Sequence, residues 1–265
     1  MAQMNPFEQQ QAIPGIKKIL AVSSGKGGVG KSTISSNLAL AMGKKFKVGL
    51  LDADIYGPSL PRMTGTIGLR PSITDKQRLI PIMRHGVKLM SMGHLVDESA
   101  AVVWRGPMLF KAMDQFLRDV DWGDLDILVI DLPPGTGDIQ LTLAQKVPVA
   151  GAICVTTPQN VALADVKKAV DMWNRVKVSV IGLVENMAYM INPVSNEKME
   201  LFPRGDIDGF LKTHHMTLLG QIPFNPNIAK ASEAGIPLVE AYSSSPEAAA
   251  FNELSNQVCQ KLGFA

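Results

Sequence analysis

Cysteine is nearly absent, with only Cys154 and Cys259 among 265 residues. Two thiols cannot frame a disulfide scaffold in a chain of this size, so a reducing compartment and a cytoplasmic location are expected. Long apolar runs are missing too. The longest, Val147 to Val155, is nine residues and contains Pro148, well short of the ~20 that span a bilayer. The opening MAQMNPFEQQQAIPGIKK has no apolar stretch of the kind a secretory leader carries, so neither a leader nor membrane insertion is expected. No charge of one sign dominates. With 26 basic and 24 acidic side chains the net charge is +2, and no helix carries a Lys/Arg stripe, which argues against nucleic acid as a partner. The stretch from Glu253 to Ala265 has one basic residue, Lys261, which makes a poor anchor for anionic lipid.

What is present is core-forming material. Hydrophobic residues make up 46% and charged residues 19%, against roughly 25% charged in an average soluble protein, which excludes wholesale disorder. Short apolar runs predict strands at Lys18–Ser23, Lys47–Leu51, Val87–Met92, Asp126–Asp131, Ala150–Thr156, Val178–Glu185 and Leu218–Ile222. Helical patterns fall at Lys31–Lys44, Met108–Val120, Ile139–Gln145, Val161–Val176 and Asp206–His214, then at Ile228–Ala234 and Pro246–Leu262. This alternation predicts an α/β fold with a doubly wound, mainly parallel sheet. Residues 1–16 read as a loose arm and residues 17–265 as a single domain. Two irregular stretches, 53–86 and 187–205, follow predicted strands at the sheet edge where ligands gather, and are expected to be functional loops or surface insertions.

The strongest motif is Gly25-Lys26-Gly27-Gly28-Val29-Gly30-Lys31-Ser32, followed by Thr33, between an apolar strand and a helix. It fits G-x-x-x-x-G-K-[ST], whose backbone N–H groups cradle phosphate at the positive end of a helix dipole. In that motif Lys31 reaches the β- and γ-phosphates and the Ser32 hydroxyl ligates Mg²⁺. Asp126-Ile127-Leu128-Val129-Ile130-Asp131 is an apolar strand ending in an acid, which places Asp131 near Mg²⁺, through water. Asp52 and Asp54 end the second predicted strand at the same edge. ATP with Mg²⁺ is the expected ligand pair, and no guanine-reading N/T-K-x-D is present.

Lys26, a second lysine inside the loop, resembles the deviant phosphate loop of the MinD/ParA/ArsA/nitrogenase-iron-protein ATPases. Leu51-Asp52-Ala53-Asp54-Ile55-Tyr56-Gly57-Pro58-Ser59, Trp104-Arg105-Gly106-Pro107, Asp131-Leu132-Pro133-Pro134-Gly135-Thr136-Gly137-Asp138 and Gly182-Leu183-Val184-Glu185-Asn186-Met187 narrow the likeness. Together with Ile222-Pro223 and Ala234-Gly235-Ile236-Pro237, they resemble the Mrp/ApbC family of ATP-dependent iron–sulfur cluster carriers and assembly factors.

The resemblance implies a slow ATPase and a homodimer with an iron–sulfur apo-protein or assembly factor as partner. It makes Asp54 the residue that orients or deprotonates the attacking water, and Asp52 a support for the phosphate loop or for metal-bound water. Lys26 reaches phosphate across the dimer, or touches its own phosphate in cis. Asp52, Pro134, Gly135, Gly137 and Asp138 form a nucleotide-responsive switch, with Asp138 also a candidate helix cap. Asn186 and backbone near Pro223 contact adenine. Arg105 serves a dimer or partner surface, or a structural ion pair.

One family feature is missing. Cluster-carrying members have Cys-Pro-x-Cys where this chain reads Asn192-Pro193-Val194-Ser195. Two such chains would pool four thiolates for a [4Fe–4S] cluster, whereas an amide and a hydroxyl are hard, weak ligands. Cys154 lies in an apolar strand and Cys259 in an apolar helix face, so no iron–sulfur ligands of the usual kind are expected. A MinD/ParA-like dimerisation switch acting on a protein partner is the alternative function.

Overall fold

The computed structural model describes residues 10–55, 57–95, 106–195 and 197–264. Its centre is an eight-stranded sheet. In chain order its strands are β1 (Ile16–Ser24), β2 (Val48–Asp52), β5 (Ile82–Arg84), β6 (Val87–Ser91), β7 (Leu125–Asp131), β8 (Gly151–Thr156), β9 (Val180–Asn186) and β12 (Leu218–Ile222). Across the sheet they run β12-β9-β8-β1-β7-β2-β6-β5. All neighbours pair parallel except β5, which turns back antiparallel on β6 at one edge. All seven predicted strands are there.

The strands are apolar nearly throughout because helices cover both faces. In β7, Ile127 and Val129 point to one core, with Leu38 and Met42 of α1 (Lys31–Gly43) and Phe251 and Leu254 of α9 (Pro246–Lys261). Leu128 and Ile130 point to the other, with Met113 and Phe116 of α3 (Gly106–Arg118), Leu143 of α4 (Asp138–Lys146), and Trp173 of α5 (Asn160–Arg175). The period-2 alternation of a strand thus feeds two cores at once. No helix among the described residues is long and apolar enough to cross a membrane.

The irregular stretches hold more structure than their composition suggests. Residues 53–86 contain the short helix α2 (Leu60–Met63) and the small hairpin of β3 (Ser72–Ile73) and β4 (Leu79–Ile80), in addition to β5. Residues 187–205 form a hairpin of β10 (Met190–Ile191) and β11 (Lys198–Met199). Elements of two to four residues are too short to leave a periodicity. After that hairpin come α6 (Ile207–Thr213), α7 (Pro226–Glu233) and α8 (Leu238–Ala241).

The expected loose arm needs correction where it is described. Ile13 is buried, Gln11 N donates to Lys146 O at 3.0 Å, and Arg118 donates to the carbonyls of Gln11 and Ala12. Residues 10–15 are therefore docked on α3 and the end of α4, and β1 begins at Ile16. Tyr56, Trp104 and Arg105 lie outside the described residues.

Candidate functional site

The carboxyl ends of β1, β2, β7, β9 and β12 meet at one edge of the sheet, and the loop 25–30 joins β1 to α1 there. Gly30 caps α1 in the left-handed region at φ 80, with no side-chain cap, so the first N–H groups of the helix stay open toward the loop. A side chain at Gly25 would overlap the Asp165 backbone of α5, with its Cβ 2.2 Å from the Asp165 carbonyl carbon. Ser24, Lys26, Gly27, Gly28, Gly30, Lys31, Ser32 and Thr33 line a cavity of about 340 Å³. Asp54, Gly57, Ser59, Met63 and Pro134 line it as well. The phosphate-loop residues and Asp54, separate in sequence, share one space.

Lys31 is buried and its ammonium bonds Asp131 Oδ1 at 2.8 Å. Ser35 Oγ donates to the same oxygen at 2.6 Å. Lys31 also reaches Ser32 Oγ at 3.3 Å, so Lys31, Ser32 and Asp131 form one chain of contacts. Ser32 and Asp131 are hard oxygen donors of the kind Mg²⁺ takes, and both flank the cavity's lysine. The donor set fits the ion.

Asp52 takes its protein hydrogen bonds from outside the phosphate loop. It bonds neither the phosphate loop nor Asp131. Its carboxylate accepts from Asp54 N at 3.1 Å, Leu60 N at 3.1 Å and Ser91 Oγ at 3.2 Å, which ties both the turn carrying Asp54 and the start of α2 to the sheet. Burial first, and then the charge of Asp131, push the Asp52 carboxyl up to about 7, against the pull of the Leu60 N–H and Lys31.

The predicted switch lies against the phosphate loop. Gly135 N donates to Ser24 O at 2.9 Å, and the Gln140 amide donates to Pro133 O at 2.8 Å and Gly135 O at 3.1 Å. Gly137 is the N-cap of α4 and makes no side-chain cap bond. Asp138 is thus the first helical residue and favours the helix dipole without capping it. Asp138 lines a second cavity of about 520 Å³ with Asp54, Gly57, Pro133, Pro134, Gly137, Ile139 and Gln140. The two cavities share Asp54, Gly57 and Pro134.

Asn186 ends β9, but its amide faces the phosphate loop: Nδ2 donates to Val29 O at 2.8 Å, and the residue is 4% exposed. One of the two N–H donors of its amide is thereby engaged inside the protein. Pro223 is buried just beyond β12, where Ala188 N donates to Ile222 O and Phe224 N to Tyr189 O. Those bonds seat the start of the 187–205 hairpin beside Pro223. Its far end is held by Arg204, which bonds buried Glu185 at 3.2 Å and Asp208 at 3.0 Å, while Gln221 adds a 2.8 Å bond to Glu185.

At the hairpin tip Asn192 Oδ1 accepts from Val194 N at 2.8 Å and Ser195 N at 3.3 Å, which closes a turn. Cys154 is buried, with Sγ 3.5 Å from Ser23 Oγ, and burial pushes its thiol up to about 11. Cys259 is buried on α9 and its thiol is raised by the same cause. Neither offers a thiolate, so the donor set does not fit an iron–sulfur cluster held by this chain's own side chains.

Sequence reasoning missed Ser35, Ser91, Gln140 and the Glu185–Arg204 pair. Ser35 had a readable signal, since it lies four residues after Lys31 and shares its helix face. Ser91 becomes legible only through the register that sets it opposite Asp52.

The chain matches the family described as "ParA: NUBPL iron-transfer P-loop NTPase" over residues 15–259. It is 48% identical to the iron-sulfur cluster carrier protein of Aquifex aeolicus over 257 residues, 96% of this chain and 71% of that protein. The carrier protein of Escherichia coli K12 is 46% identical, over 99% of this chain and 71% of its own length. The iron-sulfur cluster transfer protein NUBPL of Dictyostelium discoideum is 44% identical, over 97% and 80%. Among solved structures, a nucleotide-binding protein from Archaeoglobus fulgidus in complex with ADP superposes with a TM-score of 0.75 at 37% identity, covering 88% of this chain and 92% of that one. The Pyrococcus furiosus cell division ATPase MinD superposes at 0.67 with 23% identity over 92% and 98%, a likeness of fold. By its sequence and its sheet alike, the chain belongs to the iron–sulfur cluster carrier family of P-loop NTPases.

Proposed function

We propose that the chain is a magnesium-dependent ATPase acting as a homodimer in iron–sulfur protein maturation, with the cluster held by its partner. The observation that carries the ATPase reading is the shared cavity, which Lys31, Ser32 and Asp54 all line. Lys31 leaves Asp131 for the β- and γ-phosphates, and the loop N–H groups cradle their oxygens. Ser32 and Asp131 are the residues that would hold Mg²⁺, which would supply positive charge against the phosphates. Asp54 orients a water toward the γ-phosphorus. The new P–O bond forms as the bond to the bridging oxygen breaks, so ADP leaves and the water's proton passes toward Asp54 or solvent. Lys26 supplies positive charge across the dimer.

The test is threefold. Purified protein with MgATP is expected to release phosphate slowly and to gain the mass of a dimer by light scattering. Anaerobic incubation with iron and sulfide is expected to leave iron at background. A cluster of about four irons per dimer would overturn the partner-held reading, and absence of nucleotide binding would overturn the ATPase reading.

A further inference from the structure

Asp131 is gripped at a single oxygen. Lys31 Nζ and Ser35 Oγ both donate to Oδ1, at 2.8 and 2.6 Å, and neither engages Oδ2. Ser35 is 1% exposed and lies one helical turn beyond Lys31, so the two side chains leave α1 on one side. Its hydroxyl has one proton and two acceptors in reach, Asp131 Oδ1 and the Lys31 carbonyl at 3.0 Å. The contact to the carboxylate is the shorter.

The two donors respond differently to a nucleotide. Lys31 carries a charge on a flexible four-carbon stem, and a phosphate in the loop competes with Asp131 for it. The Ser35 hydroxyl sits on a short side chain inside a buried helix and cannot follow. When Lys31 departs, the carboxylate loses its counter-ion, and the serine is what remains on Oδ1. We propose that Ser35 is a positioning residue that holds Asp131 in place after Lys31 transfers to phosphate, keeping Oδ2 available to the water shell of Mg²⁺. This rests on the nucleotide-site reading above.

Titration of the full chain with a fluorescent ATP analogue, in EDTA and in excess Mg²⁺, tests both readings separately. Wild-type protein is expected to bind in EDTA and more tightly with Mg²⁺; no binding in either condition removes the nucleotide site and this inference with it. Ser35→Ala is expected to stay within about twofold of wild type in EDTA while losing ~10-fold of the Mg²⁺-dependent tightening, the worth of one hydrogen bond to a charged group. Ser35→Thr, which keeps the hydroxyl, is expected to restore that tightening. In an Asp131→Asn background Ser35→Ala is expected to add nothing to the Mg²⁺ response. An unchanged Mg²⁺ response in Ser35→Ala, or an equal loss in EDTA and Mg²⁺, overturns the proposal. If the alanine variant does not fold, Ser35→Cys keeps the volume with a weaker donor and carries the same expectations.

Discussion

Asp52 and Asp131 stand directly opposite each other at the ends of the neighbouring parallel strands β2 and β7, and both are buried. The pairing places two carboxylates beside one ammonium, that of Lys31, which forms its direct ion pair with Asp131 and acts on Asp52 only through its charge. Asp52 must take its support from N–H and O–H donors instead. In doing so it fastens the segment that carries Asp54.

Stability is expected to depend on pH through Asp52. Its carboxyl sits at about 7 in the folded chain and returns to the ordinary value of 3.8 on unfolding. Between those values the unfolded state has released the proton that the folded state keeps, so stability falls as pH rises through the window and levels off above about 7. Asp52→Asn removes this titration. Denaturant midpoints measured from about pH 4 to about pH 8 should slope less in the variant; equal slopes would assign the dependence elsewhere.

Gly30 combines a left-handed backbone with contact to Asn186. A Cβ there would lie 2.2 Å from Asn186 Nδ2 at φ 80. Gly30→Ala is expected to cost about 1–3 kcal/mol through backbone strain alone and to weaken nucleotide binding by distorting the loop. Asn186→Ala, which only removes the bond to Val29 O, should cost about 1 kcal/mol. Thermal melts of the two variants check the order.

Three residues in or beside the shared cavity should separate binding from chemistry. Lys31→Ala is expected to abolish nucleotide binding and to destabilise the chain, because Asp131 is left buried without its counter-ion. Asp54→Ala and Lys26→Ala are expected to bind MgATP yet hydrolyse it at least ~100-fold more slowly. Parallel binding titrations and phosphate-release assays distinguish these outcomes, and wild-type turnover in Asp54→Ala would free that residue of its role.

Arg204 anchors the hairpin to the nucleotide edge of the sheet. Its removal leaves Glu185, which is fully buried, with Gln221 as its remaining bonded partner among the described residues. Arg204→Ala is expected to cost about 3 kcal/mol, as for one partner lost from a buried pair. Hydrogen exchange should show protection lost first in residues 187–205, and unchanged exchange there would make the ion pair a purely local prop.

Much of this protein is legible in its order of residues. The seven apolar runs are long enough to declare strands, because a strand buried on both faces has no polar side to blur it. The phosphate loop is equally plain, since its chemistry depends on contiguous backbone and one following helix. The missing thiols are also a sequence fact, and the structure adds that Cys154 and Cys259 are enclosed. Tertiary structure alone decided the rest. Lys31 meets Asp131, 100 residues away, only because β7 inserts between β1 and β2. The same insertion buries Asp52 and sets it opposite Asp131, and burial first, then that neighbouring charge, raises its proton affinity. Asn186 took the phosphate loop as its partner because the end of β9 comes within hydrogen-bond reach of Val29 O. Local pattern determines which element a residue joins; which groups then share a proton, a counter-ion or a cavity depends on strand order, and strand order is set by how all the elements bury one another.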